Sequence, residues 1–114
     1  ESYFRRLESK VLEEVAGEKR FVVSCGGGIV ANEENIRIMK ETGLIICLKA
    51  TPGVILKRTQ GSSSRPLLNV KNPKEKISLL LKLRAPYYAK AHKSINTSSL
   101  SVQEVTKRIM KLIK

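Results

Sequence analysis

The sequence predicts an α/β fold, a parallel sheet flanked by helices, and three observations carry that prediction. Two short apolar runs, Phe21-Val22-Val23-Ser24-Cys25 and Leu44-Ile45-Ile46-Cys47-Leu48, show no alternation of polar and apolar residues. Such runs are expected of strands buried on both faces of a parallel sheet. Around and between them stand stretches whose apolar residues recur at helical spacing. Cap and turn residues separate the two kinds of segment, so helix and strand alternate along the chain as in a parallel α/β unit.

Residues 3–16 place Phe4, Leu7, Val11 and Val15 on one helical face, with Arg5, Lys10, Glu13 and Glu14 between them. The run 21–25 follows as a buried strand and ends in Gly26-Gly27-Gly28. Asn32 offers an N-cap for a helix through Ile36 and Met39 that closes near Gly43, ahead of the second buried strand at 44–48. Thr51-Pro52 reads as a cap with a first-turn proline, opening a helix through Val54, Ile55 and Arg58. Residues 61–72 combine Gly, Ser, Asn and an Arg-Pro pair and predict a mobile loop able to close over a ligand. Asn72-Pro73 caps a further helix through Ile77, Leu80, Leu81 and Arg84, which must kink or stop near Pro86. Residues 94–97 form a weak third strand, and Ser101-Val102-Gln103-Glu104 is a capping box for a last helix through Val105, Ile109 and Ile113.

The 114 residues suit one small domain, 1–114, with no internal repeat and no linker to a second. No apolar run approaches the roughly 18 residues of a membrane span, and the N-terminal residues lack the form of a signal peptide. Cys25 and Cys47 each sit in an apolar run without metal-ligand spacing, which suits reduced thiols in a cytoplasmic protein. All ten acidic residues are Glu, so any Asp base or Asp metal ligand must come from outside this sequence. The first residue is Glu rather than Met, and the chain is expected to be part of a longer product.

Charge is unevenly distributed: residues 1–57 carry a net of +1 and residues 58–114 a net of +11. The second half therefore faces anions, with nucleic acid, an acidic membrane surface, phosphate-bearing small molecules and plain solvated lysine faces all open on charge alone. The three glycines follow a strand of a parallel sheet, where open α/β folds bind ligands, and glycine lets backbone N–H groups approach closely. They match neither a dinucleotide fingerprint nor a phosphate loop, which needs a Lys after the last Gly, so a simple tight turn remains open. Arg5 has Glu8 three residues on, on the same helical face, as a surface pair would. Arg84 shares a face with Leu80 and Leu81, an awkward place for a guanidinium without a ligand. Arg58 ends a helix, and Arg65 lies in the 61–72 loop, from which it can reach a phosphate on closure. His92 has no Cys or Asp near it, and Tyr87 and Tyr88 are expected to pack rather than react.

Taken in order, Tyr3-Phe4-Arg5-Arg6-Leu7-Glu8, Ser24-Cys25-Gly26-Gly27-Gly28, Arg58-Thr59 with Arg65-Pro66-Leu67-Leu68, and Leu83-Arg84-Ala85-Pro86-Tyr87-Tyr88 resemble the shikimate kinase family. The resemblance runs over nearly the whole chain. It implies a P-loop kinase-like fold and transfer of the terminal phosphate of ATP to the 3-hydroxyl of shikimate, on the route to chorismate and the aromatic amino acids. It further implies that Arg5 and Arg84 hold the shikimate carboxylate, because planar guanidinium donors match its two oxygens. Glu8 would position Arg5, and Gly26, Gly27 and Gly28 would wall the ring, with Gly27 nearest. Residues 61–72 would be the lid, Arg65 would meet the phosphate in transfer, and Arg58 would lie against the adenine. The family's Asp-Thr near the adenine is Asn96-Thr97 here.

On the same resemblance, ATP is co-substrate and Mg2+ the metal, with the metal's ligands expected in a missing N-terminal part that also holds the phosphate loop. The fold is accordingly expected to be incomplete, lacking its N-terminal strands, and the chain alone inactive. The complete enzyme is expected to be a cytoplasmic monomer binding shikimate and ATP, without nucleic acid or membrane partners. Two alternatives stand beside this reading: another P-loop small-molecule kinase, such as one acting on gluconate, and a non-catalytic basic binding module.

Overall fold

A computed structural model of the chain describes residues 2–59 and 71–113. Helix α1 spans Ser2–Ala16 and helix α2 spans Glu33–Thr42. Between them lies a single short 3-10 helix, Gly27–Ala31, which we call the glycine turn. Strand β1 is Ile46–Lys49, followed by α3, Pro52–Thr59. Helix α4 is Pro73–Tyr88, strand β2 is Lys93–Asn96 and helix α5 is Val102–Leu112. Strands β1 and β2 pair in parallel, with Ile46 opposite Lys93 and Lys49 opposite Asn96. The α/β class and the parallel sheet flanked by helices are therefore those that the sequence predicts.

Three of the four expected caps form as their side chains dictate, and the one at Asn72 does not. The Asn32 carboxamide accepts from the Glu34 N–H at 2.9 Å at the start of α2, and the Gly43 N–H closes that helix on Met39 O. Thr51 Oγ1 accepts from Val54 N–H at 3.3 Å, ahead of the first-turn Pro52. Ser101 and Glu104 complete a reciprocal capping box. Asn72 makes no side-chain cap bond, and α4 runs through Pro86 to end two residues later. A proline this near the end of a helix removes one N–H donor and leaves little helix beyond it to kink.

Two expectations are corrected. Residues 21–25 form no strand: among the described residues they join no ladder, and Phe21, Val22 and Val23 are 66, 98 and 51% exposed. A strand needs a neighbour for its alternate N–H and C=O groups, and none lies beside this run. Cys25 is accordingly exposed rather than buried; the second run does form a strand, but not one buried on both faces, since Cys47 is half-buried and Leu44 and Leu48 are exposed. The second correction concerns α1. Its expected core face, Phe4, Leu7 and Val11, is exposed, and Leu12 is the residue it buries.

The core that positions the site consists of Leu12, Ile29, Val30 and Ile36, with Ile38, Met39, Tyr87 and Tyr88 packed against it. Helices α1, α2 and α4 all meet at the glycine turn. Asn35, only 2% exposed, donates to Ile29 O at 3.0 Å and so ties α2 to that turn. A bond from the backbone N–H of Ile45 to His92 Nδ1, 2.9 Å long, joins the entry to β1 to the entry to β2. No helix among the described residues is long and apolar enough to cross a membrane.

Candidate active site

Two arginines from distant parts of the chain approach the glycine turn. A Cβ added at Gly28 would fall 2.7 Å from Cζ of Arg5, and one added at Gly27 would fall 3.3 Å from Nη1 of Arg84. A side chain at Gly28 would displace the Arg5 guanidinium, and one at Gly27 would press on the Tyr88 hydroxyl and the end of Arg84, so the absence of side chains lets these groups approach the turn closely. Gly26 completes the set, with the Glu8 carboxylate 3.7 Å from the position of its missing Cβ.

Helical periodicity accounts for the placement of Arg5 and Glu8. Three residues apart on α1, they share a face, and Arg5 Nη1 donates to Glu8 Oε1 at 2.8 Å. The Glu8 side chain is only 13% exposed, which shields the pair from solvent screening and fixes the direction of the guanidinium. Arg5 also lies over the Phe4 ring, 5.3 Å from its centroid. Arg84 is half-buried on α4, and four residues later on the same face Tyr88 Oη donates to Gly27 O at 2.9 Å. Two cations and one anion leave the turn with a net positive charge, the complement of a single carboxylate.

Cys25 adjoins this cluster. Partial burial of its sulfur, and secondarily the negative charge of Glu8, push its pKa up, so the thiol stays protonated and is a poor nucleophile.

Arg58 stands at a second location, at the carboxyl ends of the strands. It donates from Nη1 to Thr97 Oγ1 at 2.8 Å and from Nη2 to Thr97 O at 2.5 Å. Thr97, 5% exposed, passes its own hydroxyl proton to Lys49 O at 2.8 Å, so one buried threonine joins α3 to the ends of both strands. Two donors of the exposed Arg58 are thereby committed to Thr97. The N–H of Thr51 adds a bond to Ser98 Oγ at 3.1 Å.

The structure thus brings together Arg5, Glu8, Gly26, Gly27, Gly28 and Arg84, and separately joins Arg58 to the Asn96-Thr97 segment. Arg65, with loop positions 61–70, lies outside the described residues. Two participants went unrecognised in the sequence. The four-residue spacing of Tyr88 to Arg84 places the two on one helical face, but nothing in the sequence points to its bond with Gly27. Asn35 carried only the weak signal of an amide beside Ile36. His92, expected to hold no metal, serves as an acceptor for backbone N–H. Among the described residues no group of three His, Cys, Asp or Glu side chains is arranged to hold a metal ion.

Comparison with known proteins supplies the wider setting. A family model described as shikimate kinase matches residues 1–114. Among curated sequences, the shikimate kinase of Thermodesulfovibrio yellowstonii is 41% identical over 111 residues, covering 97% of this chain and 64% of that protein. That of Persephonella marina is 42% identical over 110 residues, covering 96% and 66%. Among solved structures, shikimate kinase from Acinetobacter baumannii in complex with shikimate superposes with a TM-score of 0.93 at 35% identity, covering 99% of this chain and 64% of that one. The Aquifex aeolicus enzyme gives 0.76 at 33% identity. The chain therefore spans a little under two-thirds of the length of these relatives.

Proposed function

Since the chain belongs to the shikimate kinase family, we propose that it forms the acid-binding portion of an enzyme that transfers the terminal phosphate of ATP to the 3-hydroxyl of shikimate. The observation that carries this reading is the convergence of Arg5 and Arg84 on the glycine turn, with Glu8 holding Arg5 by a 2.8 Å bond. Two guanidinium groups beside a wall free of side chains suit a small ring bearing one carboxylate. The relative from Acinetobacter baumannii was solved with shikimate bound, which supports the same substrate here.

In this reading Arg5 and Arg84 bind the carboxylate, Glu8 positions Arg5, and Gly26, Gly27 and Gly28 face the ring. Arg58, its guanidinium edge fixed by Thr97, presents its face to the adenine of ATP. Arg65 meets charge that develops on the phosphate in transfer. The described residues and the Asp-free sequence provide no cluster suited to Mg2+, whose ligands we assign to the part of longer relatives that this chain does not span. The free thiols Cys25 and Cys47 support a cytoplasmic setting, and the complete enzyme is proposed to be a monomer.

The test is a chimera in which the N-terminal third of the Thermodesulfovibrio yellowstonii relative precedes Glu1. It is expected to phosphorylate shikimate with ATP and Mg2+ and to leave gluconate untouched. Phosphorylation of gluconate in preference to shikimate, or of neither acid, would overturn the reading.

A further inference from the structure

We propose that Tyr88 is a positioning residue of the acid-binding site: its hydroxyl holds the glycine turn against α4 and so sets where Arg84 stands. This rests on the function proposed above and adds to it a residue that has no part in it.

The hydrogen bond from Tyr88 Oη to Gly27 O, at 2.9 Å, joins residues 61 positions apart. A Cβ at Gly27 would lie 2.8 Å from that hydroxyl and 3.3 Å from Arg84 Nη1, so both side chains approach the space left by the missing side chain of Gly27. Arg84 and Tyr88, four residues apart, are neighbours on one face of α4. The Tyr88 ring packs against the core cluster of Leu12, Ile29, Val30 and Ile36, and its hydroxyl is therefore the fixed end of a rigid arm. Gly27 C=O and Gly28 N–H belong to a single planar trans peptide unit and point in opposite directions. Holding the carbonyl consequently orients the peptide that leads into Gly28, where the Arg5 guanidinium makes its closest approach to the turn. One hydroxyl thus registers both arginines against the same wall.

Tyr88→Phe keeps the packing and deletes only the hydroxyl. In the chimera described above it is expected to raise KM for shikimate roughly five- to tenfold, as loss of one oriented hydrogen bond predicts, with KM for ATP, kcat and the melting temperature nearly unchanged. Gly27→Ala, which forces Tyr88 and Arg84 away from the turn, is expected to raise the same KM further. Should the chimera phosphorylate shikimate while Tyr88→Phe leaves its KM unaltered, or raises both KM values together with a fall in melting temperature, Tyr88 only packs and this inference is overturned. A chimera without shikimate kinase activity overturns the proposed function, and the inference with it.

Discussion

Alanine in place of Arg84 removes one of the two cations beside the glycine turn and leaves α4 otherwise intact, since Ala is the best helix former. In the chimera, Arg84→Ala is expected to weaken shikimate binding by roughly a hundredfold or more, the loss typical of a charge-assisted bond pair, and to leave ATP binding within about twofold. Isothermal titration with each ligand checks this, and equal losses for both would dissociate Arg84 from the acid. At this scale the sequence was informative wherever chemistry depends on spacing along one helix. Arg5 and Glu8 are three apart and meet as that spacing requires. Contacts made across the fold left weaker traces. The Tyr88 bond to Gly27 and the Thr97 hydroxyl beneath Arg58 depend on how α4 and β2 dock, which no local pattern encodes.

Helix ends were the most legible elements, because a cap is a local hydrogen bond between residues two or three apart. The box at α5 also makes a pH prediction. Glu104 accepts from the Ser101 N–H at 2.9 Å, and that bond, then the Ser101 hydroxyl, holds its pKa below the ordinary 4.5. A folded-state pKa that is lowered contributes stability above the ordinary value, and the contribution disappears as pH falls through the folded one. A 13C titration of the Glu104 carboxyl should therefore give a midpoint below 4.5, and Ser101→Ala, which removes the hydroxyl but keeps the backbone N–H, should raise it only part of the way back. Acidification should fray the first turn of α5 before the rest of the helix, and an unshifted midpoint in the wild-type chain would contradict the cap. The run at 21–25 was misread because its composition is that of a strand, whereas being a strand also requires a partner. Leu44-Ile45-Ile46-Cys47-Leu48 is apolar in the same way and found one in β2, the paired strand being Ile46–Lys49.

Across the whole molecule only six described hydrophobic side chains are buried: Leu12, Ile29, Val30, Ile36, Ile77 and Ile95. Set against them are the exposed apolar face of α1 and the uncovered run Phe21-Val22-Val23. Water satisfies the backbone of that run, so the penalty of unpaired buried groups does not arise; what is lost is roughly 1.5–3 kcal/mol of burial for each large side chain left outside. Against a typical stability of about 5–15 kcal/mol, several such losses leave little margin. The 114-residue chain alone is thus expected to unfold over a broad, weakly cooperative range and to transfer no phosphate, whereas the chimera should melt sharply. Calorimetry with a phosphoryl-transfer assay checks both, and a sharp transition with turnover by the chain alone would refute the expectation. The same uncovered run has a colloidal consequence. An extended apolar ribbon with open backbone groups is a template on which a second copy can add. A net charge of +12 holds copies apart only while its field reaches across the gap, about 10 Å in 0.1 M salt and about 3 Å in 1 M. Light scattering from the 114-residue chain should accordingly climb as salt is added at constant temperature, and Val22→Lys should suppress the rise, so that ionic strength sets how long this chain stays dispersed.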